Sequence, residues 1–130
     1  MNCSTPAEYP FRTPNEDSGY RLFPSEMEND EHVAFHGTAE AKLQSIVDHG
    51  FRICGELESV SFAKNSNLAL KYACDHRTQA SPNGCVIVVR FESLNMGGMK
   101  VETSVIHIYK FLQQPKILGY CVVPADYEFV

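Results

Sequence analysis

The residues best suited to chemistry begin at His36-Gly37-Thr38, which follows a short apolar run at residues 32–35 that predicts a buried strand. A histidine at the end of a strand can hydrogen-bond a ribose hydroxyl, and a glycine beside it lets a ligand amide approach the backbone closely. Thr38 is the expected N-cap of the following helix and could reach the same ribose. The triplet is also consistent with a surface histidine before an ordinary capped helix.

Two further side chains could serve the same site. Tyr72 lies in a predicted helix, where its ring could stack on a flat pyridinium or simply belong to the core. Glu102 lies in a predicted strand and could stabilise an oxocarbenium-like transition state or orient a nucleophile, or it could be a solvated strand residue. His107 follows in the next predicted strand, and its sequence position indicates no role.

The order of the predicted elements indicates an α+β fold with a mixed or antiparallel sheet. Two main helices are predicted, at residues 39–49 with Gly50 ending the helix, and at 68–76 with Asn67 as the N-cap. Strands are predicted at residues 32–35, 51–53, 59–62, 85–91, 100–102, 105–109 and 117–123. The run 85–91 is apolar on both faces, which is typical of a central strand. Helices come early, strands come late and no glycine-rich βαβ unit is present, so a Rossmann domain is not expected.

The composition is that of one globular domain with a different N-terminal segment. The chain has 130 residues, of which 44% are hydrophobic, enough for one ordinary core. Residues 1–31 combine four prolines with acidic stretches and no periodicity, so we interpret them as a loosely ordered arm and residues 32–130 as the domain. The net charge of −5 argues against non-specific nucleic-acid binding.

Cysteine usage and hydropathy bear on the compartment and on metals. The five cysteines form no C-x-x-C pair, which favours reduced, mostly buried thiols over a zinc site. No apolar run approaches the ~18 residues that span a membrane, and the polar, proline-containing N-terminus does not resemble a signal peptide. We therefore expect no metal, no membrane partner and an intracellular location, cytoplasmic or nuclear.

Taken in order, these pieces resemble the ADP-ribosyltransferase superfamily, especially its poly(ADP-ribose) polymerase-like branch. The resemblance covers residues 32–124. It is carried by Phe35-His36-Gly37-Thr38, Ser45-Ile46-Val47, His49-Gly50-Phe51, Val60-Ser61-Phe62-Ala63, Tyr72, the strand 105–109, Gln113 and the final strand 117–123.

The resemblance implies a split mixed or antiparallel sheet with two main helices, and NAD as a substrate without a metal. It places His36 on the adenosine ribose, the Gly37 backbone on the nicotinamide amide and the Tyr72 ring against the nicotinamide. His36, Tyr72 and Glu102 are the expected catalytic residues. The other residues expected to line the NAD site are Thr38, Ser61, Phe62, Ala63, Asn67 and Val105. Asn67 or Ala69 falls where the family often has a serine that contacts the nicotinamide amide.

Two departures from the family pattern bear on the reaction. Ser61 stands where the polymerases have a tyrosine, and Val105 stands where they have the catalytic glutamate, with Glu102 three residues earlier. Polymer elongation is therefore not expected, and we expect mono-ADP-ribosylation of a protein or nucleic-acid acceptor. One alternative is a catalytically inactive module of the same fold that binds a nucleotide or a protein.

RNA 2′-phosphotransferases are a second alternative, since they share the His-Gly-Thr start and the fold. That branch uses several arginines and a second histidine to hold phosphates. The candidate domain has three arginines, Arg52, Arg77 and Arg90, and Ser59 or Ser61 stands where the second histidine would fall. We rank this alternative below mono-ADP-ribosylation.

Overall fold

The structure is a computed structural model that describes residues 6–53 and 59–129. Within these ranges lie seven strands, and the α+β class is confirmed. The strands are β1 (Ala7–Glu8), β2 (Val33–Ala39), β3 (Val60–Ala63), β4 (Gly84–Arg90), β5 (Met99–Val101), β6 (Val105–Ile108) and β7 (Lys116–Val123). The helices are α1 (Ser25–Glu28), α2 (Leu43–His49), which follows a 3-10 turn at Glu40–Lys42, and α3 (Ser66–Asp75).

All seven strands belong to one mixed sheet in the order β1-β7-β4-β2-β3-β6-β5. The β1–β7 pair is parallel and every other neighbouring pair is antiparallel. The β2–β4 ladder pairs every residue of β2, whereas the β2–β3 ladder holds the single pair Phe35–Ala63. The sheet is therefore weakly joined between β2 and β3, and the candidate site residues lie on both sides of this junction.

Each face of the sheet buries its own apolar cluster. Strand β4 is buried along its whole length except Arg90, which confirms the predicted central strand. One face packs against α3 through its buried residues Ala69, Leu70 and Ala73. The other face is covered by Leu43 and Ile46 of α2 and by the segment that follows that helix. Along β2, β3 and β4 the apolar side chains alternate between the two clusters, because successive side chains of a strand point to opposite faces.

Three local predictions are wrong. Thr38 does not cap a helix, because β2 continues through Ala39 in register with β4 and buries the threonine. Helix α3 begins earlier than predicted, and its N-cap is Asn65, whose Oδ1 accepts from the Leu68 N–H at 2.9 Å. Residues 51–53 form no strand, since the Phe51 N–H and C=O bind the Gln114 side chain. The predicted end of α2 at Gly50 is confirmed, with φ of 80°.

The described part of the N-terminal segment contacts the sheet at several points. Strand β1 pairs with β7 at the edge of the sheet, and Phe23 is buried with its ring stacked on Phe35 at 5.5 Å between centroids. The domain boundary at residue 31 stays a prediction. Cys85 and Cys121 are buried free thiols, and burial raises the pKa of each to about 12. Cys3 and Cys54 lie outside the described residues.

Candidate functional site

His36 lies in the middle of β2 rather than at its end, and its ring stands on the α2 face of the sheet. The ring packs against Phe51 and Phe62, with centroids 5.2 Å and 5.4 Å away. Its Nδ1 is 3.0 Å from the Ser61 carbonyl oxygen. A carbonyl only accepts, so Nδ1 carries the proton and Nε2 of the neutral ring is an acceptor. Burial lowers the His36 pKa, which favours this neutral form.

A second histidine joins two of the predicted site residues. Ser61 and His107 are directly opposite each other in the β3–β6 ladder, and Ser61 Oγ is 2.9 Å from His107 Nδ1. His107 Nε2 is 2.8 Å from Glu102 Oε1. A carboxylate accepts, so Nε2 carries the proton, and Nδ1 of the neutral imidazole then accepts from the Ser61 hydroxyl. We call Ser61, His107 and Glu102 the relay.

Neighbouring side chains stabilise the ionised form of Glu102. The hydrogen bond from His107 is the largest of the effects that lower the Glu102 pKa, followed by the nearby charge of Lys100. Lys100 Nζ lies 3.7 Å from Glu102 Oε2, and Lys100 is opposite His107 in the β5–β6 ladder. The carboxylate is 47% exposed, so water screens these interactions. Glu102 is therefore an ionised acceptor at neutral pH.

The N–H and C=O groups of Gly37 are directed toward β3, the strand that carries Ser61. Hydrogen bonds from Phe91 N to His32 O and from Glu40 N to Asn83 O mark the two ends of the β2–β4 ladder. In an antiparallel ladder, hydrogen-bonded residues alternate, so the even-numbered residues of β2 bond to β4 and Gly37 directs its N–H and C=O toward β3. In the described residues, the β2–β3 ladder contains the single pair Phe35–Ala63. The N–H and C=O of Gly37 therefore lie outside that ladder.

The remaining predicted residues have varied surroundings. Tyr72 is 41% exposed on α3, so it does not belong to the core. Asn67 lies in the first turn of α3 and is half-buried. Val105 lies on β6 two residues before His107, and hence on the same face. The other three predicted residues, Thr38, Phe62 and Ala63, are buried within their strands.

Hydrogen bonds thus join His36, Ser61 and Glu102, which were predicted to share a site, through His107, which was not. Among the described residues, no hydrogen bond links Tyr72 or Asn67 to this group. The alternation of residues 105–108 was a weak signal for His107, because it sets that ring on the opposite face from Ile106 and Ile108. Its partner Ser61 is distant in sequence, so only the strand pairing reveals the contact.

An open groove of about 390 Å³ lies elsewhere on the molecule. It is lined by the end of α2 and the start of β7, including His49, Gly50 and Gln114, and by no predicted site residue. Within residues 6–53 and 59–129, no cluster of three or more His, Cys, Asp or Glu could hold a metal ion. No helix in the same ranges is both long and apolar enough to cross a membrane.

Comparison of the sequence with models of protein families and with curated proteins finds no match. A functional assignment therefore depends on the chemistry of the described side chains and on the motif resemblance.

Proposed function

We propose that this protein is an NAD-dependent mono-ADP-ribosyltransferase of the polymerase-like type, acting on a protein or nucleic-acid acceptor. The observation that supports the proposal is the hydrogen-bonded group of His36, Ser61, His107 and Glu102. The sequence predicts three of these four residues, His36, Ser61 and Glu102, to belong to one site. The weak β2–β3 junction is the second support, because a split sheet is what the resemblance implies.

In this proposal the β2 strand holds the dinucleotide. The acceptor nitrogen of the neutral His36 ring receives a hydrogen bond from a ribose hydroxyl, and the Gly37 N–H and C=O pair with the nicotinamide amide. The exposed Tyr72 ring stacks on the nicotinamide, where an aromatic face also favours the cationic ring. NAD is the substrate, and these three residues supply orientation more than acid–base work.

The carboxylate of Glu102 has the second role. As nicotinamide leaves, positive charge develops on the ribose, and an ionised carboxylate beside it stabilises that charge. Glu102 lies in the β5–β6 turn. The position that the resemblance gives to the glutamate of the polymerases is occupied by the aliphatic Val105. The transfer of a single ADP-ribose therefore fits this chain better than polymer elongation.

The first test is an NAD titration by calorimetry on the purified protein and on paired variants. We expect His36→Ala and Tyr72→Ala to weaken NAD binding at least tenfold, which is the loss of about 1.4 kcal/mol. His49→Ala, an exposed histidine in the groove, and Tyr20→Ala, an exposed tyrosine on the N-terminal segment, are the matched controls. A loss in His49→Ala but not in His36→Ala would place the ligand in the groove and overturn the site.

The second test separates an enzyme from an inactive binding module. The valine at position 105 is the sequence feature that favours the inactive module. Nicotinamide release from NAD is followed by chromatography for the intact protein and for Glu102→Gln. We expect release by the intact protein and a marked decrease in the variant with unchanged NAD affinity. Saturable NAD binding without nicotinamide release would support the inactive module instead.

A further inference from the structure

We propose that the relay of Ser61, His107 and Glu102 makes Ser61 a nucleophile toward small activated carboxylic esters, an acyl-transfer activity that requires no NAD. The geometry is that of a nucleophile, a base and a group that orients the base, each within hydrogen-bond distance of the next. This activity goes beyond the proposed ADP-ribosyl transfer and does not depend on it.

The relay already has its protons on the atoms that nucleophilic attack requires: one on the Ser61 hydroxyl and one on His107 Nε2. Glu102 accepts from His107 Nε2, so the free nitrogen of the neutral imidazole is Nδ1, which is 2.9 Å from the Ser61 hydroxyl. The hydroxyl therefore donates to a nitrogen that can take its proton completely. The opposite arrangement, with Ser61 accepting from Nδ1, occurs only when His107 carries a positive charge.

The sheet holds the relay in place. Ser61 and His107 are one pair of a ladder that also joins Val60 to Ile108, Phe62 to Ile106 and Ala63 to Val105. Phe62 and Ile106 are completely buried on the opposite face, so the strands cannot slip without exposing them. The His36 ring, through its bond to the Ser61 carbonyl, anchors the peptide of the nucleophile. These contacts supply the preorganisation that a serine nucleophile needs.

The relay is open to small molecules. The side chains of His107 and Glu102 are 27% and 47% exposed, and Ser61 is half-buried. The Gly37 N–H is directed toward β3 and lies outside its ladder, so it is a backbone donor on the side of β2 that faces the strand carrying Ser61. The groove of about 390 Å³ near His49 does not include the relay, so the probes chosen for the relay are small esters that need no deep cavity.

The reaction proceeds in two balanced halves. The Ser61 oxygen attacks the carbonyl carbon, its proton passes to His107 Nδ1, and the ester oxygen leaves as an alcohol or phenol after taking that proton. Water then attacks the acyl-serine, its proton passes to the same nitrogen, and the carboxylic acid is released as Ser61 recovers its hydroxyl. Glu102 stays ionised throughout and stabilises the imidazolium.

The test uses a fluorophosphonate probe on the intact protein, followed by intact mass and peptide mapping. We expect one adduct, on Ser61, and hydrolysis of p-nitrophenyl acetate that Ser61→Ala abolishes. His107→Gln should slow labelling about 100-fold, the usual contribution of a general base. Ser104→Ala, an exposed serine in the adjacent β5–β6 turn, should label normally. No adduct, or an adduct that Ser61→Ala retains, would overturn the proposal.

Glu102 is a positioning residue in this scheme, and its test is rescue by a conservative variant. Glu102→Gln removes the anion that stabilises the imidazolium, so we expect slower labelling of Ser61. Glu102→Asp keeps the anion and should recover part of the labelling rate. A rate in Glu102→Gln equal to that of the intact protein would remove Glu102 from the relay. Labelling needs no NAD, so its failure leaves the ADP-ribosyltransferase proposal intact, and the reverse also holds.

Discussion

The backbone of Gly37 lies directly against that of Ala69. A Cβ built on Gly37 would stand 2.0 Å from the Ala69 carbonyl oxygen and 2.7 Å from the Ala73 nitrogen. Strand β2 and helix α3 therefore approach more closely than a side chain at position 37 permits. The glycine has a packing role in addition to the ligand role proposed for its peptide groups.

Gly37→Ala should destabilise the protein by roughly 3 kcal/mol, because the obstacle is the backbone of a packed helix and the strand has no room to move. Chemical denaturation of the folded protein measures this change. Gly97→Ala is the matched control, since the nearest atom to a Cβ there is Leu112 Cδ1 at 3.6 Å, an ordinary contact. Equal stability of the two variants would contradict the close approach of β2 and α3.

The burial of His36 predicts a pH dependence of folding. Its pKa is lowered in the folded protein from an ordinary value of 6.5, so the unfolded chain binds more protons below that pH. Stability should therefore fall as the pH falls through 6.5, by at most about 1.4 kcal/mol per pH unit from this group.

The pH dependence is measured by denaturant unfolding between pH 5 and 8. In His36→Phe the decrease toward acid should be shallower, because the variant has nothing to protonate at this position. His49→Ala, which changes an exposed ring, should keep the slope of the intact protein. A variant His36→Phe with the full acid decrease would assign the dependence to other groups.

The side chain of Gln114 replaces a strand partner for Phe51. Its Oε1 accepts from the Phe51 N–H at 2.8 Å and its Nε2 donates to the Phe51 carbonyl at 2.8 Å. Gln114→Ala leaves both backbone groups without this partner, and we expect a loss of about 2 kcal/mol. We also expect faster amide exchange at Phe51. The His36 ring signal in NMR spectra should shift, since the His36 and Phe51 rings are in contact.

Gln113→Ala is the control for that experiment. Gln113 is exposed and hydrogen-bonds Glu92 at the surface, so its loss should leave the Phe51 amide unchanged. If both variants accelerate exchange at Phe51 equally, the link between Gln114 and that residue is not specific.

The buried carboxylate of Glu28 connects the N-terminal segment to α3 through hydrogen bonds. The Glu28 side chain is 3% exposed, and its Oε2 accepts from the Phe23 N–H at 3.0 Å and from Ser66 Oγ at 2.6 Å. Glu28→Gln replaces one acceptor oxygen with a donor and removes a charge paired with Arg21, so we expect a loss of about 2 kcal/mol.

Glu26→Gln, on the exposed side of the same helix, should leave stability within about 0.5 kcal/mol. Limited proteolysis adds a second readout, because release of the segment exposes the chain around Phe23. Resistance of Glu28→Gln equal to that of the control would show that the Glu28 carboxylate is not needed to hold the segment on the sheet.

Much of the fold could be predicted because its signals are local. The apolar run 85–91 indicated β4, and β7 and the end of α2 at Gly50 were found near their predicted places. Predictions at element boundaries were wrong where a tertiary contact decided them. Thr38 joined β2 because pairing with β4 continued to Ala39, and α3 began at Ser66, whose hydroxyl bonds to Glu28.

The sequence by itself determined which candidate residues the site hypothesis could use. It predicts His36, Tyr72 and Glu102 as catalytic and Ser61 as a lining residue, because residue type and order are all that a motif needs. Only the tertiary structure assigned a place to His107, since its partner Ser61 is 46 positions away. The register of β3 on β6 made that contact, and the burial of Phe62 and Ile106 on the opposite face determines the register. A slip of one residue would turn Ser61 and His107 into the core, which is why the packing of apolar side chains decides the position of the polar ones.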